Sequence, residues 1–257
     1  MNILNKLLSN IFVDKYNCIV CDSELHMPER HGICPTCMAN MPINDGTNIC
    51  QLCGKSMADE ARYCLTCQNN TFFFDICRSY FVYKDDAKKL IHHLKFGGGK
   101  WLVKYLAEFY IDMYREHGYS ADIIVSVPIS KGRVRERGYN QSAEIAKILE
   151  TRLGIPYIED AVVKSKELCP QEKLGGRERL SSVVGAFTLT NRDAVKDKNI
   201  LLIDDVLTTG ATMSAVSMEL KKVCRRIECL VLASPAVTYK ERTGDIMADY
   251  EMELERY

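Results

Sequence analysis

The sequence predicts a doubly wound, mostly parallel α/β sheet preceded by a small cysteine-rich zinc module. Three observations carry that expectation. Four Cys-x-x-Cys pairs crowd between residues 18 and 67. Near residue 77 the pattern changes to strands alternating with amphipathic helices, the order that builds a parallel sheet. Several strand candidates are apolar throughout, as strands covered on both faces are. Of the 257 residues, 47% are hydrophobic and 26% charged, the balance of a chain with a sizeable core rather than a disordered one. The 34 Lys/Arg equal the 34 Asp/Glu, so attraction to nucleic acid or membrane must come from a local patch.

The opening MNILNKLLSNIF places Ile3, Leu4, Leu7, Leu8, Ile11 and Phe12 at helical spacing. It is too short to span a bilayer, no small-residue cleavage site follows, and Lys6 is its only cation. We expect a short amphipathic helix docked on the protein, no membrane span, and a cytoplasmic location where clustered cysteines act as metal ligands. Residues 78–84 (RSYFVYK) read as a strand. Residues 86–96 and 100–117 read as helices parted by Gly97, Gly98 and Gly99. Residues 122–127 form a buried strand stopped by Pro128, and 140–153 an amphipathic helix closed by Gly154 and Pro156. Short strands are expected at 161–163 and 186–189. Buried strands at 199–203 and 227–233 flank a helix over 211–223. The expected organisation is a helix and zinc module over residues 1–77, an α/β domain over 78–237 and an acidic tail over 238–257.

The cysteine spacing is Cys18-x2-Cys21-x12-Cys34-x2-Cys37, then, after twelve residues, Cys50-x2-Cys53-x10-Cys64-x2-Cys67. Each Cys-x-x-Cys turn offers two thiolates, and two turns complete the tetrahedral sulfur cage that zinc prefers. Two structural zinc ions are therefore expected. A redox pair accounts for one such turn but not for four, and an iron–sulfur centre is the other metal alternative. Sequential pairing, 18/21/34/37 and 50/53/64/67, is the simpler arrangement. An interleaved cross-brace, 18/21/50/53 and 34/37/64/67, fits the same spacing. His26 and His31 are not needed as ligands. Residues 1–77 hold five Lys/Arg against eight Asp/Glu, and each four-thiolate zinc site adds about two negative charges. This module suits protein docking or stabilisation rather than contact with phosphates.

LLIDDVLTTGATM, residues 201–213, is the most informative stretch. A buried strand delivers Asp204 and Asp205 to its carboxyl end. The hydroxyl- and glycine-rich turn Thr208-Thr209-Gly210-Ala211-Thr212 then opens a helix, whose first N–H groups lack intrahelical partners and favour an anion. The turn suits a phosphate monoester. The acids suit ribose hydroxyls, or magnesium held through water. A sugar phosphate explains both halves at once.

At these residues the chain resembles the type I phosphoribosyltransferases, whose signature for 5-phosphoribosyl 1-diphosphate (PRPP) has this form. Within that superfamily it resembles the ComF family, the ComFC-type late competence proteins. The likeness takes in the cysteine pairs, LKFGG at 94–98, VPISKGRVRERGYNQS at 127–142, the Gln171, Leu174 and Arg179 pattern, Ala186-Phe187 and the PRPP signature. Two departures stand out: Lys166-Glu167-Leu168 replaces the family's Arg-x-Thr, and Ser182 replaces its asparagine. The resemblance implies PRPP with magnesium as ligand and a role in DNA uptake during natural transformation. It names a competence helicase as a candidate partner of the zinc module. It also implies that Lys131, Gly132 and Arg133 form a loop that holds pyrophosphate, with Arg135 and Arg137 continuing the basic run.

Residues 88–104 carry Lys88, Lys89, Lys95, Lys100, Lys104, His92 and His93 with no acid, and Lys95 is placed to reach the active face. Phe96, Trp101 and Tyr105 interleave with them, either as core residues or as stacking platforms for single-stranded DNA. Residues 88–137 are thus the best nucleic-acid surface in the chain. Two functions remain open: an accessory factor in DNA uptake, or an active phosphoribosyltransferase. The second needs an acceptor, and no acceptor-binding motif is visible.

Overall fold

The computed structural model describes residues 16–27, 29–58, 60–96, 98–165 and 185–237. The expected N-terminal helix, the acidic tail and the Gln171, Leu174 and Arg179 pattern lie outside the described residues. In chain order the elements are β1 (Tyr16–Asn17), β2 (Glu24–Leu25), α1 (Pro35–Asn40), α2 (Leu65–Asn69), β3 (Ile76–Val82), α3 (Asp85–Phe96), a 3-10 turn (Gly99–Leu102) and α4 (Val103–Glu116). Then come β4 (Ile123–Ser126), α5 (Lys131–Arg137), α6 (Gln141–Leu153), β5 (Val162–Lys164), β6 (Phe187–Leu189), α7 (Arg192–Val195), β7 (Asn199–Val206), α8 (Ala211–Leu220) and β8 (Arg226–Ser234).

The main sheet has the order β3-β8-β7-β4, and every neighbouring pair is parallel. Side chains alternate between its faces, as the two-residue period of a strand requires. Ile124, Leu201, Ile203, Leu230 and Leu232 pack with Leu106, Phe109 and Tyr110 of α4 and Ile145 and Leu149 of α6. Ile123, Val125, Ile200, Leu202, Ile227, Cys229 and Val231 pack on the opposite face with Met213, Val216 and Leu220 of α8. The helix that follows β4 therefore lies on one face and the helix that follows β7 on the other. These two strands are neighbours, so their chains part at their carboxyl ends and leave a crevice. Open α/β sheets bind ligands at such a point.

The zinc module seals the outer edge of β3. Val82 N–H donates to Pro42 O at 2.7 Å, Asn44 N–H to Tyr80 O at 2.8 Å, and Cys77 N–H to Leu52 O at 2.8 Å. Gly54 makes the approach possible. It has φ +71°, and a Cβ there would lie 2.5 Å from Cys77 O. Cys18, Ile33 and Met41 join the apolar cluster on the α4 face, and Cys50, Cys53, Met57 and Cys64 join the one on the α8 face. Polar contacts add to this. Arg30 pairs with Glu108 of α4 at 2.6 Å and with Asp112 at 2.7 Å, and His31 stacks on Phe109 with ring centroids 4.3 Å apart. Glu108 is buried, and a second arginine, Arg152 of α6, also reaches it, at 3.2 Å.

Five elements differ from the sequence expectation. Residues 131–137 are helical rather than an open loop. Ser130 accepts the Arg133 N–H at 3.3 Å, and Gly138 closes the helix in the left-handed region. Arg and Glu are good helix formers, and that outweighs Gly132. The short strands β5 and β6 pair antiparallel with each other, apart from the main sheet. α1 and α2, each carrying one cysteine pair's second member, are too short to show periodicity and read as turns.

Candidate functional site

A cleft of about 770 Å³ opens at the carboxyl ends of β4 and β7. Val127, Pro128 and Ile129 line it from one strand, and Asp204, Asp205, Val206, Thr208 and Thr212 from the other. The acid pair is held from several sides. Ser142 donates its hydroxyl to Asp204 Oδ1 at 3.1 Å, and the Asp205 N–H donates to the same oxygen at 2.9 Å. Tyr110, fully buried, donates its hydroxyl to the Asp204 carbonyl at 2.7 Å. Asp205 is buried and pairs with Lys95 at 2.9 Å, while the Gln141 amide donates to its other oxygen. Burial, and then the neighbouring Asp205 carboxylate, push the Asp204 carboxyl up to about 7.

The turn after the acids has the expected form. Gly210 adopts φ +79° as the N-cap of α8, and Thr209 accepts the Ala211 N–H at 3.2 Å. Thr208 and Thr212 face the cleft, whereas Thr209, Gly210 and Ala211 shape the turn behind them. Arg133 lines the cleft, but Lys131 and Gly132 sit on the exposed first turn of α5 and do not. Lys95 lines the cleft as well. Sequence reasoning gave no site role to Gln141 or Ser142. Their signal was two polar residues opening a helix that follows a buried strand. Nor did it assign one to Lys164, which lines the far wall. Asn140 caps α6 as expected and also donates to Val127 O at 3.1 Å, which ties that helix to the end of β4. Tyr139 is buried and donates to the Leu94 carbonyl.

The cleft is cationic. Lys88, Lys89, Lys95, Arg133, Arg137 and Lys164 line it against three acids, Asp85, Asp204 and Asp205. Phe96, which lines it, and Trp101, outside its lining, are about half exposed, 48% and 49%, rather than core. The Arg137 guanidinium lies 4.8 Å from the Phe96 ring centre, and the His92 ring 5.0 Å away. Tyr105 packs against Gly32 of the zinc module.

The eight cysteines form two sequential tetrads, Cys18/Cys21/Cys34/Cys37 and Cys50/Cys53/Cys64/Cys67, with the sulfurs of each within 4.8 Å of one another. The pairing left open by the spacing is thereby resolved. Zn–S bonds of about 2.3 Å in a tetrahedron imply sulfur separations of about 3.8 Å. The structure has 3.9 Å between Cys21 and Cys34 and 3.7 Å between Cys53 and Cys64. Backbone N–H groups support the sulfurs: Cys34 N–H points to Cys18 at 3.3 Å and Cys64 N–H to Cys50 at 3.4 Å. Four thiols so close ionise together only around a cation. The donor set fits zinc, which would act structurally because sulfur fills all four positions.

Two family models match the chain. Residues 8–68 match the double zinc ribbon domain and residues 136–250 the phosphoribosyl transferase domain. Ribbon pair, parallel sheet and cleft together define a phosphoribosyltransferase-fold protein with an N-terminal double zinc ribbon. Competence protein F of Haemophilus influenzae is 28% identical over 81% of this chain and 92% of its own length. Competence protein ComFC of Bacillus subtilis is 27% identical over 78% and 87%. The DNA utilization protein YhgH of Salmonella typhimurium is 26% identical over 78% and 88%. Over most of its length the chain is thus similar to the ComF-type competence proteins. Among the described residues no helix is long and apolar enough to cross a membrane.

The raised Asp204 carboxyl has a thermodynamic consequence. Folded, it keeps its proton to about pH 7; unfolded, it releases it near the ordinary value of about 4. The native state therefore binds more protons between those limits, and stability falls as pH rises through them. Asp204→Asn removes this contribution. Urea unfolding at about pH 5 and pH 8 should show a smaller loss of stability in the variant than in the wild type. An equal loss would contradict the assignment.

Proposed function

We propose that the cleft binds PRPP or a related ribose phosphate with magnesium, and that the protein is an accessory factor in DNA uptake during natural transformation. The observation that carries the ligand is the buried acid pair followed by the hydroxyl-rich turn at the crevice between β4 and β7. In this reading Thr208, Thr209, Gly210, Ala211 and Thr212 surround the 5-phosphate with hydroxyl and backbone donors at the start of α8. Asp204 and Asp205 hold the ribose hydroxyls directly, or through magnesium-bound water, and Lys95 pairs with Asp205. Arg133, with Lys131 and Gly132 beside it, faces the pyrophosphate. Magnesium, when bound, would neutralise charge that builds on that group.

An active phosphoribosyltransferase is the alternative. Its supporting observation is Asp204, a part-buried carboxyl pushed up to about 7 beside the ribose position and thus suited to take a proton. The C1–O bond of PRPP would break, pyrophosphate would leave, and the acceptor would bond to C1 and lose its proton.

Calorimetric titration separates a ribose-phosphate site from a general anion hole. PRPP with magnesium and ribose 5-phosphate should bind more tightly than inorganic phosphate. The double variant Asp204→Asn, Asp205→Asn should lose at least about tenfold in PRPP affinity, the worth of a charge-assisted hydrogen bond. Equal affinity for all three ligands, or no loss in the double variant, would withdraw the assignment.

For DNA we propose residues 88–137 as the surface, and for a competence helicase the acidic zinc module. The relatives named for competence and DNA utilization support a role in DNA handling. The half-exposed Phe96 and Trp101 among lysines and arginines support single strands as the form bound. Lys104 and Arg135 lie on this surface but outside the cleft lining. Reversing both to Glu should weaken binding of single-stranded DNA and flatten its salt dependence, each lost contact changing the slope by about 0.7. Ribose-phosphate affinity should stay the same. Unchanged DNA binding and salt slope would move the surface elsewhere.

A further inference from the structure

The chain between the second cysteine tetrad and β3 is laid across the start of α8. It is fixed at one end by the tetrad member Cys67, which lies within α2. At the other end the Asp75 carboxylate accepts from the Ile227 N–H at 2.7 Å and pairs with Lys221 at 2.5 Å. Between these ties, Phe73 N–H donates to Ser214 Oγ of α8 at 3.3 Å. Phe74 is buried in the cluster that holds Leu207, Ala211 and Met213. Phe72 stacks on Phe74 with ring centroids 5.3 Å apart. Its ring also lies against Gly210, where a Cβ would come within 2.8 Å of it.

Gly210 holds φ +79° in a turn of small and hydroxylated residues. Glycine in such a position has the largest choice of backbone conformations, and a ligand that needs one of them pays for the rest. The phenyl ring of Phe72 closes the outer side of this turn and leaves its inner side to the cleft. We infer that Phe72 is a positioning residue of the ribose-phosphate site, and that through it the second cysteine tetrad sets the shape of the phosphate turn. This rests on the reading of residues 208–212 as that site. Phe72 touches no ligand in this account. It acts by holding Gly210.

The test uses the full chain with its zinc. Wild type, Phe72→Ala, Phe72→Leu and Phe73→Ala are titrated with ribose 5-phosphate, and amide hydrogen exchange is followed at residues 208–212 without ligand. Phe73 shares the strap, but its side chain is exposed, which makes it the control for general destabilisation. Phe72→Ala should bind about tenfold more weakly and exchange faster across the turn. Phe72→Leu, which keeps apolar bulk, should fall between it and the wild type. Phe73→Ala should change neither. Unchanged exchange and affinity in Phe72→Ala would overturn the inference, as would an equal effect of Phe73→Ala. A wild type that fails to bind ribose 5-phosphate would overturn the site reading itself and this inference with it.

Discussion

Backbone groups along the outer edge of β3 must find partners, and the zinc ribbons supply them. A parallel sheet of four strands leaves two edges, and an open edge invites pairing with another chain. Here Pro42, Asn44 and Leu52 take up hydrogen bonds from that edge. The rest of the architecture follows from this contact. Once the ribbons lie along β3, one tetrad packs into the apolar cluster on each face of the sheet. The segment that returns to the sheet must then pass over α8 and its turn. A four-thiolate metal site held this way is a cross-link within the core, and the ribbons have little apolar interior without it.

The cleft shows how one topology gathers opposite charges. Two adjacent strands end together, and the helices that follow them leave on opposite faces. The acids come from β7, and their supports Gln141 and Ser142 come from the start of α6. Lys95 arrives from α3. Each group alone is costly to bury, and hydrogen bonds from Ser142 and Gln141 with the Lys95 ion pair offset that cost. The balance pushes the Asp204 carboxyl up to about 7 and leaves Asp205 ion-paired. Two adjacent carboxyls thus differ in character.

Much of this was legible in the sequence. The buried strands at 122–127, 199–203 and 227–233 showed as uniform apolar runs, which only a sheet covered on both faces explains. The eight metal-site cysteines showed as four pairs at fixed spacing, and the turn that opens α8 as threonines and a glycine after paired acids. What stayed hidden was local or long-range. Helix α5 was obscured because the family resemblance implied a loop at 131–133, although Ser130 and Gly138 were its caps. The pairing of β5 with β6 was invisible because strand partners are set by contacts that alternation alone does not encode. The strap from Cys67 to Asp75 gave no sign, since three consecutive phenylalanines have no helical or strand period. Gln141 and Ser142 read as ordinary helix-opening residues until the fold brought them to the acids.

The central claim is that ribbons and sheet are one cooperative structure joined by metal. It is tested most directly by urea unfolding of the zinc-loaded chain in the presence of a colorimetric chelator. Zinc release and far-ultraviolet circular dichroism are followed in the same samples. Release of both zinc ions at the midpoint where the sheet signal is lost is the result this account predicts. Release of both at lower urea, with the sheet signal and its midpoint unchanged, would contradict it.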